Sequence, residues 1–179
     1  MTTHVVPPLA RRRTRRSLVS GAAALTAVAA LAAAALATAA PAAADEVPGP
    51  GAPADPRVLL VLERTNAARA AVGCAPLQLA DPLTAAADRH SAEMAATGTM
   101  THTGLDGSTP RTRLAAVGVQ PRRTAENVAF GYGAAAVVDA WLASPGHRAN
   151  LLDCRLGLVG IAERTGATGP YWTQVLAGL

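Results

Sequence analysis

The amino-terminal segment decides how much chain is available to fold. Residues 11–16 read RRRTRR, an alanine- and leucine-rich run follows from Leu18 to Ala40, and Pro41-Ala42-Ala43-Ala44 closes it. A basic stretch, an apolar stretch and a small-residue A-x-A site, in that order, spell an export signal. Cleavage is expected after Ala44, which leaves 135 of the 179 residues for one mature domain. The apolar run is about long enough to span a bilayer, so an uncleaved signal anchor is the alternative. Against it, the run is mostly alanine, holds Thr26 and Thr38, and ends in a processing-type sequence rather than a basic flank. Thr14-Arg15-Arg16-Ser17-Leu18-Val19 also matches a twin-arginine signal, a match that arginine-rich leaders produce by chance.

Removing that segment reverses the charge. All 16 basic residues are arginines; Arg11, Arg12, Arg13, Arg15 and Arg16 lie in the leader, and the 12 acidic residues all follow Ala44. The mature balance is 11 arginines against 12 acids, a net charge of −1. Such a domain has no basic field to attract a phosphate backbone, so nucleic acid is not an expected partner. Cys74 and Cys154 both fall in the mature part, where an exported pair is expected to bond. Two unrelated buried thiols are the alternative. Bonded, they close a loop of about 80 residues, worth roughly 4–5 kcal/mol by chain entropy. Neither cysteine follows the leader directly and the C-terminus shows no sorting tail, so no stable membrane attachment is expected once the signal is removed.

Residues 45–55, DEVPGPGAPAD, are too rich in Pro, Gly and Ala to build a core and read as a disordered lead. Asp55-Pro56 opens a first helix, with Asp as N-cap and Pro at the first helical position. Val58, Val61, Leu62, Thr65, Ala68 and Val72 share one face, and Gly73 supplies the stop. A second helix repeats the grammar from Asp81-Pro82 to Gly98, with a stripe of Leu83, Ala86, Ala87, His90 and Met94. A third runs from Thr109-Pro110 to Gly118. Residues 124–130 alternate like a strand, a fourth helix covers Ala134 to Ala143, and Ser144-Pro145 opens a short helical turn through Leu152. Residues 156–162 and 171–176 read as strands around ERTGATGP, which predicts an antiparallel hairpin. The expected class is α+β, a small antiparallel sheet with helices packed on it.

Several segments then resemble one family in order. These are Asn66-x-x-Arg69, Gly73 and Pro76-Leu77; His90-Ser91-x-x-Met94; Thr101-His102-Thr103; Asp106-Gly107-Ser108-Thr109-Pro110; and Glu126-Asn127. Trp141-Leu142-x-Ser144-Pro145-Gly146-His147-Arg148-x-Asn150-Leu151-Leu152 and Tyr171-Trp172-Thr173-Gln174-Val175 complete the set. Together, from about residue 58 to 176, they resemble a bacterial SCP-like domain of the CAP superfamily (cysteine-rich secretory, antigen 5 and pathogenesis-related proteins). The resemblance implies an α-β-α sandwich. It also implies a cleft in which many eukaryotic members place two histidines and two acids, and where some bind a divalent metal. His102 matches the first histidine and Glu126 the first acid. The second acidic position falls at about Ser144, and the second histidine is replaced by Tyr171. His147 is the histidine that bacterial members carry instead.

The residues themselves narrow the chemistry. His90 sits on an apolar helix stripe and reads as a core histidine with a hydrogen-bond partner. His102 lies in a loop rich in Thr, Gly and Asp. His147, two residues into a helix that opens at Pro145, stands where the helix dipole disfavours imidazolium, which leaves the neutral ring that a ligand role needs. Glu126 alternates with Val128 and Phe130, so its carboxylate faces apolar company and requires a partner. That partner is either a histidine, His102 or His147, which Glu126 would orient, or an arginine such as Arg122 or Arg148. Asn127 and Asn150 read as turn and cap residues. Tyr132 and Tyr171 are placed either along the cleft or in the core.

Two functions follow from the His102, Glu126, His147 and Tyr171 set. The first is a secreted, monomeric, non-enzymatic binding module for a small apolar, metal or cell-envelope ligand, with lipid among the candidate partners. The second is a zinc-dependent hydrolase that takes His102, His147 and Glu126 as metal ligands. No HExxH helix and no G-x-S-x-G element is present, and a glutamate committed to a metal leaves no evident general base.

Overall fold

In the computed structural model, which describes residues 55–179, the expected helix starts are set largely by prolines. The expected signal over 1–44, and the lead up to residue 54, lie outside the described residues. Helix α1 (Pro56–Ala70) begins with Asp55 as N-cap, whose carboxylate accepts from the Arg57 N–H at 2.8 Å. Its buried stripe is Val58, Val61, Thr65 and Arg69. The helix stops three residues before Gly73, which takes φ +79° in the turn that follows, and Val72 is exposed. Strand β1 (Gln78–Leu79) precedes helix α2 (Asp81–Thr97). Asp81 lies inside the first turn of α2, where its charge suits the dipole, and the N-cap is Ala80. The stripe of α2 is buried as predicted, and Gly98 ends the helix at φ +67°. Helix α3 (Pro110–Ala116) is held by a reciprocal Thr109–Thr112 capping box.

Strand β2 (Arg123–Phe130) is followed by α4 (Ala134–Ala143), α5 (Pro145–Leu151), β3 (Leu158–Gly166) and β4 (Gly169–Gly178). The sheet order is β1-β3-β4-β2. The β3–β4 hairpin and the β2–β4 pair are antiparallel, and β1 adds a two-residue parallel edge to β3. That edge was not foreseen, because two residues carry no periodicity. The hairpin also runs further than its apolar residues suggested. Glu163 to Gly166 stay in β3 because Arg164 finds Asp88 on α2 at 2.7 Å, and the turn shrinks to Ala167-Thr168.

Helices lie on both faces, giving the α-β-α sandwich. Val58 and Val61 of α1, Val137, Val138 and Trp141 of α4, and Leu151 of α5 pack on Ile161, Trp172 and Leu176. On the other face, Leu83, Ala86 and Ala87 of α2 and Leu114 of α3 pack on Ala162 and Val175. The start of α2 crosses β3 at contact distance: a Cβ on Gly160 would stand 2.0 Å from the Leu83 carbonyl carbon. No helix among the described residues is long and apolar enough to cross a membrane.

The long loops are stapled from α1. The fully buried Arg69 donates to the carbonyls of Ala75, Leu151, Asp153 and Leu156 at 2.7–3.0 Å. Asn66 accepts from the Leu77 N–H at 2.8 Å and donates to its carbonyl at 3.1 Å. Cys74 and Cys154 form a disulfide that joins the same two segments as Arg69, with their Cα atoms 4.9 Å apart.

Two outcomes are expected. Arg69→Met orphans four carbonyls and should cost about 3–5 kcal/mol in urea denaturation with the disulfide intact. Gly160→Ala forces α2 off β3 and should cost about 2–4 kcal/mol, read as a lower midpoint at unchanged slope.

Candidate functional site

β2 is the far edge of the sheet, and the two helix layers meet along it. In an antiparallel pair, backbone groups point alternately toward and away from the partner strand. The carbonyls of Glu126 and Val128 point outward, where side chains from the helices cover them. Asn150 donates to Glu126 O and the Trp141 indole to Val128 O, both at 3.1 Å. A buried polar chain fixes α5 against this edge. Asn150 donates to Asn127, Asn127 to Gln174, and Gln174 to Thr65, at 3.0, 3.0 and 3.2 Å. Asn127 and Asn150 are therefore core connectors rather than turn and cap residues.

Glu126 has its side chain 2 % exposed and uses both oxygens. Oε1 lies 2.9 Å from His102 Nδ1, and Oε2 accepts from Arg113 Nη2 at 2.5 Å. Arg113, equally buried, also donates to His102 O at 3.2 Å and to Ser108 O at 3.1 Å. The guanidinium thus balances the carboxylate and ties down the loop that carries His102. Sequence reasoning offered Arg122 or Arg148 for this pairing and missed Arg113. The available signal was the demand of a buried carboxylate for a buried cation, and Arg113 is next to Leu114, the inward residue of α3.

His102 is the exposed end of this arrangement, with 53 % of its side chain open to solvent. A neutral ring that donates Nδ1–H to Glu126 presents its Nε2 lone pair outward. The loop beneath it is tight. Gly107 takes φ +77°, and a Cβ on Gly104 would meet Ser108 Oγ at 2.3 Å and Glu93 Oε2 at 2.9 Å. Asp106 is held well below the usual carboxylate range by hydrogen bonds from Ser108 and then from Arg89, which binds it at 2.6 Å. His90 is fully buried and donates Nε2–H to Thr101 O at 2.7 Å, bracing the residue before His102.

His147 is the third residue of α5 and half-buried. Burial pushes its ring below the ordinary histidine value, and the neighbouring His102 charge pushes the same way. The structure thus brings His102, Glu126 and Arg113 into direct contact, with His147 near enough to sense His102. Tyr171 stands apart. It pairs with Phe130, four residues along β2 from Glu126, and is 2 % exposed. Its hydroxyl meets Thr168 at 3.2 Å, and its ring packs on Phe130, Val128 and Met94. It is a core residue at the hairpin end, because the register places it there.

His102, Thr109, Pro110, Arg111, Thr124, Ala125 and Glu126 line a concavity of about 290 Å³. A three-ligand metal centre does not fit this arrangement. Glu126 has no free oxygen, and no group of three or more His, Cys, Asp or Glu side chains among the described residues is disposed to hold a metal ion. The His102–Glu126 pair has the form of a histidine oriented by a carboxylate behind it.

Comparison with known proteins agrees with the fold. The CAP, or cysteine-rich secretory protein, family matches residues 62–176. The uncharacterized protein YkwD of Bacillus subtilis is 31% identical over 119 residues, covering 66% of this chain and 46% of that protein. The chain spans less than half the length of this curated relative. Among solved structures, an outer surface protein of Borrelia burgdorferi superposes with a TM-score of 0.64 at 24% identity, covering 68% of this chain and 92% of the other. An extracellular SCP-domain protein of Bacillus anthracis gives 0.62 at 23%, covering 69% and 40%. These two likenesses are of fold, whereas the family match covers the sequence segments that build the His102–Glu126 edge, and by it the chain belongs to the cysteine-rich secretory protein (CAP) family.

Proposed function

We propose that the chain works outside the cell as a non-enzymatic, monomeric binding domain, and that it takes a small cell-envelope group in the concavity beside His102. The observation that carries this reading is the state of Glu126. Both its oxygens are engaged, one by His102 and one by Arg113, so no free carboxylate stands by as a general base. The atom left over is His102 Nε2, which offers a directed hydrogen bond to a ligand. The leader sequence and the Cys74–Cys154 disulfide support export to an oxidising compartment. The hydrolase reading needs Glu126 as a metal ligand, and here its second oxygen lies against a buried guanidinium.

The test is co-sedimentation of the purified protein with cell-wall sacculi and, separately, with vesicles of anionic membrane lipid. Binding to one of them, weakened about tenfold in His102→Ala, is the expected result for loss of one directed hydrogen bond to the ligand. A protein that stays in the supernatant with both materials overturns the reading. So does uptake of one zinc per chain at micromolar metal, lost in His102→Ala, which would favour the hydrolase.

His147 gives the site a pH dependence of defined sign. Its ring binds a proton less tightly folded than unfolded. The associated stability is complete above the unfolded value of about 6.5 and is lost as the pH falls below it. The melting temperature should therefore drop between pH 7.5 and 5.5, and drop less in His147→Gln. Equal drops in the two proteins would show that another group carries the transition.

A further inference from the structure

The charges around the concavity do not cancel. Glu126, its one acidic residue, is already matched by Arg113 from behind the wall. Arg111 lines the same concavity and has no carboxylate partner among the described residues. Its guanidinium is held by two backbone carbonyls, Pro121 O at 3.0 Å and Arg122 O at 3.4 Å. Two carbonyls orient a guanidinium but leave its positive charge and its remaining N–H groups unspent. Asp153 is paired with Arg155 and Arg123, and Asp106 with Arg89.

A second, independent observation comes from Thr124 on the β2 wall. Its hydroxyl is buried and has no hydrogen-bond partner. A hydroxyl left without a partner in a lining residue is an unspent donor. A cation oriented by backbone and a hydroxyl donor left without a partner are what an oxyanion requires.

We infer that the concavity takes an anionic ligand, a phosphate or carboxylate group, with Arg111 as its charge partner and Thr124 as a hydrogen-bond donor. The inference rests on the reading of this concavity as the binding site and adds the chemical class of what enters it. Phosphate and carboxylate share the recognised chemistry, two or more oxygens carrying delocalised negative charge, and the planar guanidinium serves both.

The purified protein is titrated with sodium phosphate and, in a separate arm, with sodium acetate. Chloride holds the ionic strength constant, and the His102 ring and arginine N–H resonances are followed. At least one anion should saturate, with the changes centred on His102 and Arg111. Phosphate alone would point to a phosphate-bearing envelope polymer, and acetate alone to a carboxylate-bearing sugar or peptide; either supports the inference. Arg111→Met should weaken binding about tenfold, and Arg111→Lys, which keeps the charge, within about threefold. Thr124→Val, nearly isosteric and able to fold if Arg111→Met cannot, should weaken it about threefold. Failure of both anions to saturate overturns the inference, as does wild-type affinity in Arg111→Met or, should that variant not fold, in Thr124→Val. Anion binding that survives His102→Ala but not Arg111→Met keeps the anion subsite and removes the His102-centred function. Envelope binding lost in His102→Ala but unaffected by Arg111→Met does the reverse.

Discussion

A carboxylate buried at the rim of a sheet has to be matched by a cation, and in this protein the match organises the whole edge. Glu126 reaches inward from β2 to Arg113 of α3, and the same guanidinium grips the carbonyls of His102 and Ser108. Removing one partner of such a buried pair typically costs about 3–5 kcal/mol, because the other is left charged in an apolar setting. Here the loss would extend further, since the loop bearing His102 is tied to that guanidinium. The pair is therefore as much a positioning device as an electrostatic one.

The site exists because β2 is an edge. Edge strands leave a row of peptide groups unpaired. This fold covers the row with Asn150 and Trp141 from one helix layer and flanks it with the His102 loop from the other. His102 therefore comes from the loop between α2 and α3, and His147 from α5 on the other face of the sheet. The buried chain Thr65–Gln174–Asn127–Asn150 supplies the rigidity, running from α1 through the sheet to α5. Polar residues in a core give specificity when each is satisfied, and these are.

A second set of polar contacts does for the loops what the sheet does for the strands. The segments around Cys74 and Cys154 have little regular structure. Arg69 satisfies four of their carbonyls, and the disulfide closes over the same junction. This places backbone that lacks helix or strand partners in contact with a fixed donor, as burial demands. It explains why an arginine stands on the α1 stripe one residue from where periodicity alone put Ala68.

Local grammar was enough for much of the architecture. Prolines at helix starts, the left-handed glycine at Gly98, and the stripe from Leu83 to Met94 act over a few residues, so they can be read without the fold. The family resemblance placed His102 and Glu126 in one cleft, and alternation alone showed that Glu126 would need a partner. Other features were decided only by tertiary contact. The extension of β3 through Arg164, the two-residue β1, the core position of Tyr171 and the choice of Arg113 over Arg122 or Arg148 each depend on a partner far along the chain. Register and ion pairing are settled by which surfaces meet in three dimensions. A carboxylate states its need for a cation in the sequence, but only the packing of α3 on β2 selects which arginine answers it.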